Sequence, residues 1–160
     1  MKITVLCLSI IVASGLVMVT VYNTLVDAKS WSYDPQPQYR RPGTITSMST
    51  RWFYAIFGPP NMLLSLLTII LFWKDGASLR LYFAVSFALY AAILVMTFVY
   101  FIPRDLILFT WPIPEHIDEI RTAARQWSYV NWLRTLLGLA GVLFSFKGLD
   151  VYYGILARKP

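Results

Sequence analysis

Apolar residues fill four long runs of the chain, 3–26, 52–73, 79–102 and 127–146, and a thin polar thread is set into each of them. At about 1.5 Å of rise per residue, a helix of roughly 20 apolar residues crosses the hydrocarbon of a bilayer. The threads have helical spacing. In the last run Trp127, Asn131, Arg134, Gly138, Gly141 and Ser145 stand at offsets 0, 4, 7, 11, 14 and 18, one face of a helix whose other face is Leu, Val and Phe. Ser9, Ala13, Thr20, Asn23 and Asp27 do the same in the first run, Asn61, Ser65 and Thr68 in the second, and Ser86, Tyr90, Thr97, Tyr100 and Arg104 in the third. A guanidinium in hydrocarbon costs a few kcal/mol and nearly always faces a bundle interior or a watered cavity. The pattern therefore predicts threads turned toward a common centre.

The architecture that follows is all-α: an up-down-up-down bundle of four transmembrane helices forming one integral membrane domain over residues 1–160. The run 3–26 exceeds the 7–15 residues of a signal-peptide core and contains Tyr22 and Asn23, so it reads as an uncleaved first span; cleavage after Ala28 is the alternative. Trp31, Tyr33, Pro35, Pro37, Tyr39, Arg40, Arg41, Pro42 and Gly43 mark 28–50 as an irregular loop, with its aromatics resting at the interface in preference to capping a cavity. Pro59 and Pro60 should kink the second span, Lys74-Asp75-Gly76 makes a tight turn, and Pro103 ends or bends the third span. Glu115, Asp118 and Glu119 followed by Arg121 and Arg125 predict a short amphipathic helix over 112–126, before the last span and able to run straight into it. The loops 28–50 and 103–126 then share one membrane side, and 147–160 is a short basic tail.

Composition agrees with lipid as solvent: 58% of the 160 residues are hydrophobic and 14% charged, and the mean hydropathy is +0.59. The net charge of +6 does not point to nucleic acid, because the basic residues sit at the ends of apolar runs as membrane anchors. Lys2, Lys74, Arg80, Lys147, Arg158 and Lys159 crowd the short connections, which by the positive-inside rule puts both termini in the cytoplasm. Cys7 is the only cysteine and lies in the first run, where it serves packing. One histidine, one cysteine and scattered acids have no metal-ligand spacing.

Alternating spans bring Asn23, Asp27, Asn61, Tyr100, Arg104, Asp105, Trp127, Asn131 and Arg134 to one end of the bundle, with Arg134 about 10 Å below Trp127 by helix rise. This convergence predicts a polar intramembrane pocket for a small aromatic or lipid-like molecule. The competing reading is a buried ion pair, Asp27 with Arg134, that fixes helix register and nothing more.

Ser14 to Ala28, Phe57-Gly-Pro-Pro-Asn61, Tyr100-Phe-Ile-Pro-Arg-Asp105 and Trp127 to Arg134 resemble, in order, the landmarks of the anthrone-oxygenase-like family of small four-helix membrane proteins, chiefly bacterial. The resemblance implies a bacterial inner-membrane location and an oxygenase that turns an anthrone into an anthraquinone without metal or flavin. It matches Asn131 and Arg134 to the asparagine and arginine opening the family's last span, and Pro103 to the proline ending the third. The chain departs at Arg104-Asp105, where relatives commonly keep an asparagine, and a changed pocket implies a changed ligand.

Cofactor-free oxygenation needs a base for an acidic C–H or phenol and a cation for the charge that develops. His116 and Asp105 are the candidate catalytic bases, with Asp27 a further one, and Arg134 or Arg104 would hold the anion. A lone histidine is weak support, and an exposed position on the amphipathic segment is the preferred reading of His116. The alternative function is a non-catalytic membrane scaffold or assembly subunit whose polar stripes only pack helices; a proton-coupled transporter fits less well, for want of a repeat. The expected partners are membrane lipids and an aromatic or quinone-like ligand, with homo-oligomer formation left open.

Overall fold

The computed structural model describes the backbone of residues 1–33 and 45–158, and the side chains of 1–32, 53–113 and 115–158. Helix α1 (Lys2–Tyr22) passes through a π-helical turn (Asn23–Asp27) into the short α2 (Ala28–Tyr33). Helix α3 spans Ile45–Leu71. Helix α4 (Ala77–Met96) passes through a second π-helical turn (Thr97–Phe101) into α5 (Ile102–Thr110), and α6 runs over Ile113–Leu156. No strand occurs among the described residues. Four helical stretches, Lys2–Ser32, Phe53–Leu71, Ala77–Thr110 and Glu115–Leu156, are long and apolar enough to cross a membrane. The protein is an all-α integral membrane protein, and these stretches are spans one to four below.

The polar threads face inward. Ser9, Thr20, Asn23, Asp27, Asn61, Ser65, Thr68, Ser86, Asn131, Arg134 and Ser145 are all buried, whereas Ile11, Leu63, Leu81 and Leu136 on the opposite faces are more than half exposed. An exposed leucine at that density is the surface a bilayer covers. Lys2 Nζ donates to Asp75 Oδ2 at 2.7 Å, while Asn23 at the other end of span one donates to the Tyr54 hydroxyl at 3.0 Å.

Three features differ from the sequence expectation. The backbone is helical through Tyr33 and again from Ile45, so the expected loop shrinks from both sides; Tyr39, Arg40 and Arg41 lie outside the described residues. Pro103 does not end its helix. It is the second residue of α5, directly after a π turn that has already interrupted the i to i−4 ladder a proline would break. The basic tail stays helical to Leu156 because Tyr152 packs edge-on against Phe72, ring centroids 5.0 Å apart. As the sequence allowed, the amphipathic segment runs straight into span four, with only His116 leaving helical geometry (φ −130°, ψ 29°).

Gly76, at φ 139°, sits in backbone space that side chains avoid and closes the tight turn between spans two and three. Around that turn Phe72 and Phe83 meet with ring centroids 5.1 Å apart, in a core with Leu6, Ile10 and Leu79. Gly148 lets span four approach this core: a Cβ there would lie 2.3 Å from Cε1 of the buried Phe83 ring. Gly148→Ala should therefore cost about 1–3 kcal/mol by overpacking, more than the roughly 1 kcal/mol that alanine gains in helix propensity. Gly15→Ala, which meets nothing within 4 Å, should be neutral or stabilising; thermal unfolding of the two variants in detergent measures the contrast.

Candidate functional site

At the end of the bundle away from the tight turn lies a cavity of about 370 Å³. Its walls are mostly apolar, from Ala13, Val17, Met62, Ile93, Phe101 and Gly138, and its polar lining includes Thr20, Tyr54, Asn61, Asp105, Trp127 and Arg134. Trp31 and Phe109 also line it.

Arg134 dominates the site's electrostatics. The side chain is buried, and Nη2 donates to the Tyr54 hydroxyl at 3.0 Å. Its guanidinium carbon lies 4.2 Å from the Phe101 ring centroid, 4.6 Å from Tyr54 and 5.6 Å from Trp127. Three π faces thus take the place of water around the cation, each contributing a fraction of what a desolvated contact gives, ~2 kcal/mol at best. Arg134 Nε has no hydrogen-bond partner among the described residues. A buried donor left unmade costs about 1–3 kcal/mol, a cost that the buried Trp31 Nε1 and Arg104 Nε also carry. Asn61 Oδ1 is likewise buried and unpartnered, an acceptor on the opposite span.

Asp105 is drawn to the cavity by the π turn of span three, which re-aims the residues after Phe101, and its Oδ1 accepts from Trp127 Nε1 at 3.0 Å. Trp31, expected at the membrane interface, is instead buried over the cavity, its ring 5.2 Å from Phe109 and 5.3 Å from Trp127. Burying the indole between two aromatic faces outweighs leaving it at the headgroups, and the three rings roof the cavity.

The other candidates lie elsewhere. Asn131 is fully buried, and its Nδ2 donates to the Thr20 carbonyl at 2.8 Å and to Thr24 Oγ1; Thr135 Oγ1 adds a contact to Thr20 Oγ1 at 2.9 Å. This clasp joins spans one and four behind the cavity, as polar residues between membrane helices do. Asn23 acts indirectly by orienting Tyr54. Asp27 is buried outside the cavity lining, and no ion pair joins it to Arg134. Tyr100 donates to the Gln126 carbonyl at 3.1 Å, and Arg104 stacks on the Tyr100 ring at 3.5 Å and reaches Gln126 Oε1 at 3.2 Å, so both face the top of span four. His116 packs against Trp111 with centroids 4.8 Å apart and is not part of the cavity wall. Among the described residues no three His, Cys, Asp or Glu side chains come together as metal ligands.

A family model described as anthrone oxygenase matches residues 49–144. The chain belongs to the anthrone oxygenase family. The matched stretch holds Tyr54, Asn61, Phe101, Asp105, Trp127 and Arg134, all of which line the cavity, while Trp31 and Thr20 come from outside it. No curated protein and no solved structure matches the chain. Tyr54 was legible as a member of the cavity lining from spacing alone: it precedes Asn61 by seven residues and so continues the thread of span two. Phe101 had no such signal, since an aromatic among aromatics reads as core, and for Trp31 the capping role was the less favoured of the two readings of its loop.

Proposed function

We propose that the cavity binds a small aromatic or lipid-like molecule and that the protein acts on it as a cofactor-independent oxygenase of the anthrone type, in a bacterial inner membrane with both termini cytoplasmic. The observation that carries the reading is a mostly apolar cavity of about 370 Å³ whose lining includes the buried guanidinium side chain of Arg134 and the carboxylate of Asp105. Mere helix packing would leave no space beside these groups; the Asn131 clasp, which joins spans one and four by hydrogen bonds and lines no cavity, is what packing alone looks like.

For an anthrone the steps balance without a cofactor. A base removes one of the two methylene protons, and the electron pair left on carbon is shared with the ring ketone as an enolate whose oxygen bears the charge. That carbon bonds to dioxygen, which is reduced to a peroxide. Loss of the second C–H proton with cleavage of the O–O bond leaves a second ketone, so one dioxygen is consumed and one water released. Asp105 is the carboxylate that lines the cavity among the described residues and is the proposed base; the Arg134 guanidinium would stabilise the enolate oxygen, where charge develops. Asn61, on the facing span, supplies an acceptor for a ligand hydroxyl.

Purified protein in detergent, offered a panel of hydroxylated anthrones and quinols, should consume oxygen with at least one anthrone at a rate above the uncatalysed one. Failure across the panel, with thermal stability unmoved by any member, would reject both the enzyme and the binding pocket, because a bound ligand must stabilise the fold it selects.

A further inference from the structure

We infer that the cavity opens sideways into the bilayer, through a doorway between spans two and three, so that its ligand is an uncharged molecule delivered from the lipid and not from water. The inference rests on the reading of the cavity as a binding site and adds the route to it and the class of molecule that can use it.

Two observations carry it. The first is which lining residues are open to the outside. Ala55, Pro59, Leu94 and Phe98 line the cavity and are also exposed, Phe98 by 62% and Leu94 by 38%. The first two come from span two and the others from span three. No cavity residue of spans one or four is exposed: Ala13, Thr20, Trp31, Trp127, Arg134 and Gly138 are all buried, and Leu16 and Val17 are half-buried. The opening therefore lies on one seam. It is the seam whose helices are held together at the far end, where Phe72 meets Phe83. Toward the doorway Pro59 and Pro60 withhold the N–H groups that would bond the carbonyls of Ala55 and Ile56, which weakens span two where it borders the gap.

The second is depth. The Phe72–Phe83 contact lies beside the Lys2–Asp75 ion pair, with Lys2 Nζ 5.7 Å from the Phe72 centroid, and so marks one edge of the hydrocarbon. Counting from Phe72, Pro59 and Ala55 stand about 20 and 26 Å along span two; counting from Phe83, Leu94 and Phe98 stand about 17 and 23 Å along span three. Both estimates place the doorway inside a hydrocarbon core of about 30 Å. Arg134, fourteen residues before the Gly148 that packs on Phe83, lies about 21 Å from the same edge and thus directly inward of the opening. From the membrane surface, by contrast, the edge-to-face rings of Phe109, Trp31 and Trp127 stand over the cavity.

The doorway has no polar group among these four side chains, so a charged molecule would have to shed its hydration to pass, at a cost of several kcal/mol. The molecule that fits is neutral, aromatic and lipid-soluble, carrying a ketone or phenol oxygen to meet the Arg134 guanidinium once inside.

The test uses the full chain in phosphatidylcholine vesicles and 1,8-dihydroxyanthraquinone, a stable coloured probe, dissolved in the lipid; quenching of Trp31 and Trp127 fluorescence reports binding. Ala55→Phe narrows the doorway and should slow association and dissociation together, each by about tenfold. A contact merely damaged would speed dissociation instead, and that result overturns the doorway. Phe98→Ala widens the opening and should speed both rates, which keeps the test decisive if the narrowed variant fails to fold. Faster binding in Trp31→Ala with no change in either doorway variant would mean access through the roof and would overturn the inference while leaving the pocket standing. No quenching of the wild-type protein would sink the pocket reading and the doorway with it.

Discussion

Arg134→Gln is expected to lower kcat/KM for anthrone-dependent oxygen uptake by about 10²–10³-fold, the usual loss when one preorganised donor to a developing oxyanion is removed. Glutamine is shorter and neutral, and it reaches neither the cavity with a donor at the Nε position nor the three aromatic faces with a charge. Arg134→Lys should not restore activity, because an ammonium on a flexible stem lacks the planar fork that bonds Tyr54 with one nitrogen and offers another to the ligand. The fold should not suffer equally. Arg134 is buried with no ion pair to Asp27 and an unmade hydrogen bond, so an apolar residue of similar length removes a desolvation penalty as well as the cation–π contacts. Arg134→Met is expected to keep thermal stability within about 1 kcal/mol of wild type while losing probe binding, the trade of stability for function seen at active sites. Collapse of the fold in Arg134→Met, or oxygen uptake preserved in Arg134→Gln, would assign the residue a structural role.

The second large effect is expected at Asp105. Asp105→Asn preserves an oxygen that can accept from Trp127 Nε1 but removes the carboxylate, and a positioned general base contributes typically about 10²–10⁴-fold. Oxygen uptake should fall by that range in kcat, with the fluorescence-measured affinity for 1,8-dihydroxyanthraquinone changed far less, since a quinone offers no methylene proton to remove. Equal losses in affinity and kcat would make Asp105 a binding residue; no loss in kcat would remove it from the reaction. His116→Ala, by comparison, touches a side chain packed on Trp111 away from the cavity wall.

The four spans, the inward turn of their polar threads and the end of the bundle where they converge were readable in the chain, because each follows from a local quantity: hydrocarbon thickness sets the length of an apolar run, and 3.6 residues per turn sets which polar residues share a face. Membership of Arg134, Asn61, Asp105 and Trp127 in one cavity was readable for the same reason. What those residues do there was decided only by the fold. Asn131 and Arg134 are three residues apart and differ by about 60° around one helix, yet the short amide is spent on span one while the long guanidinium reaches past it to the cavity. Azimuth on a helix says which way a side chain points and nothing about the register of the helix it meets. Arg104 and Asp105 are neighbours about 100° apart on one helix, and the π turn before them sets that helix so that one reaches Gln126 and the other the cavity. That turn, the roof of Trp31 over Trp127 and the seam left open between spans two and three have no local code, since each exists only where side chains distant in sequence fill, or fail to fill, the same space.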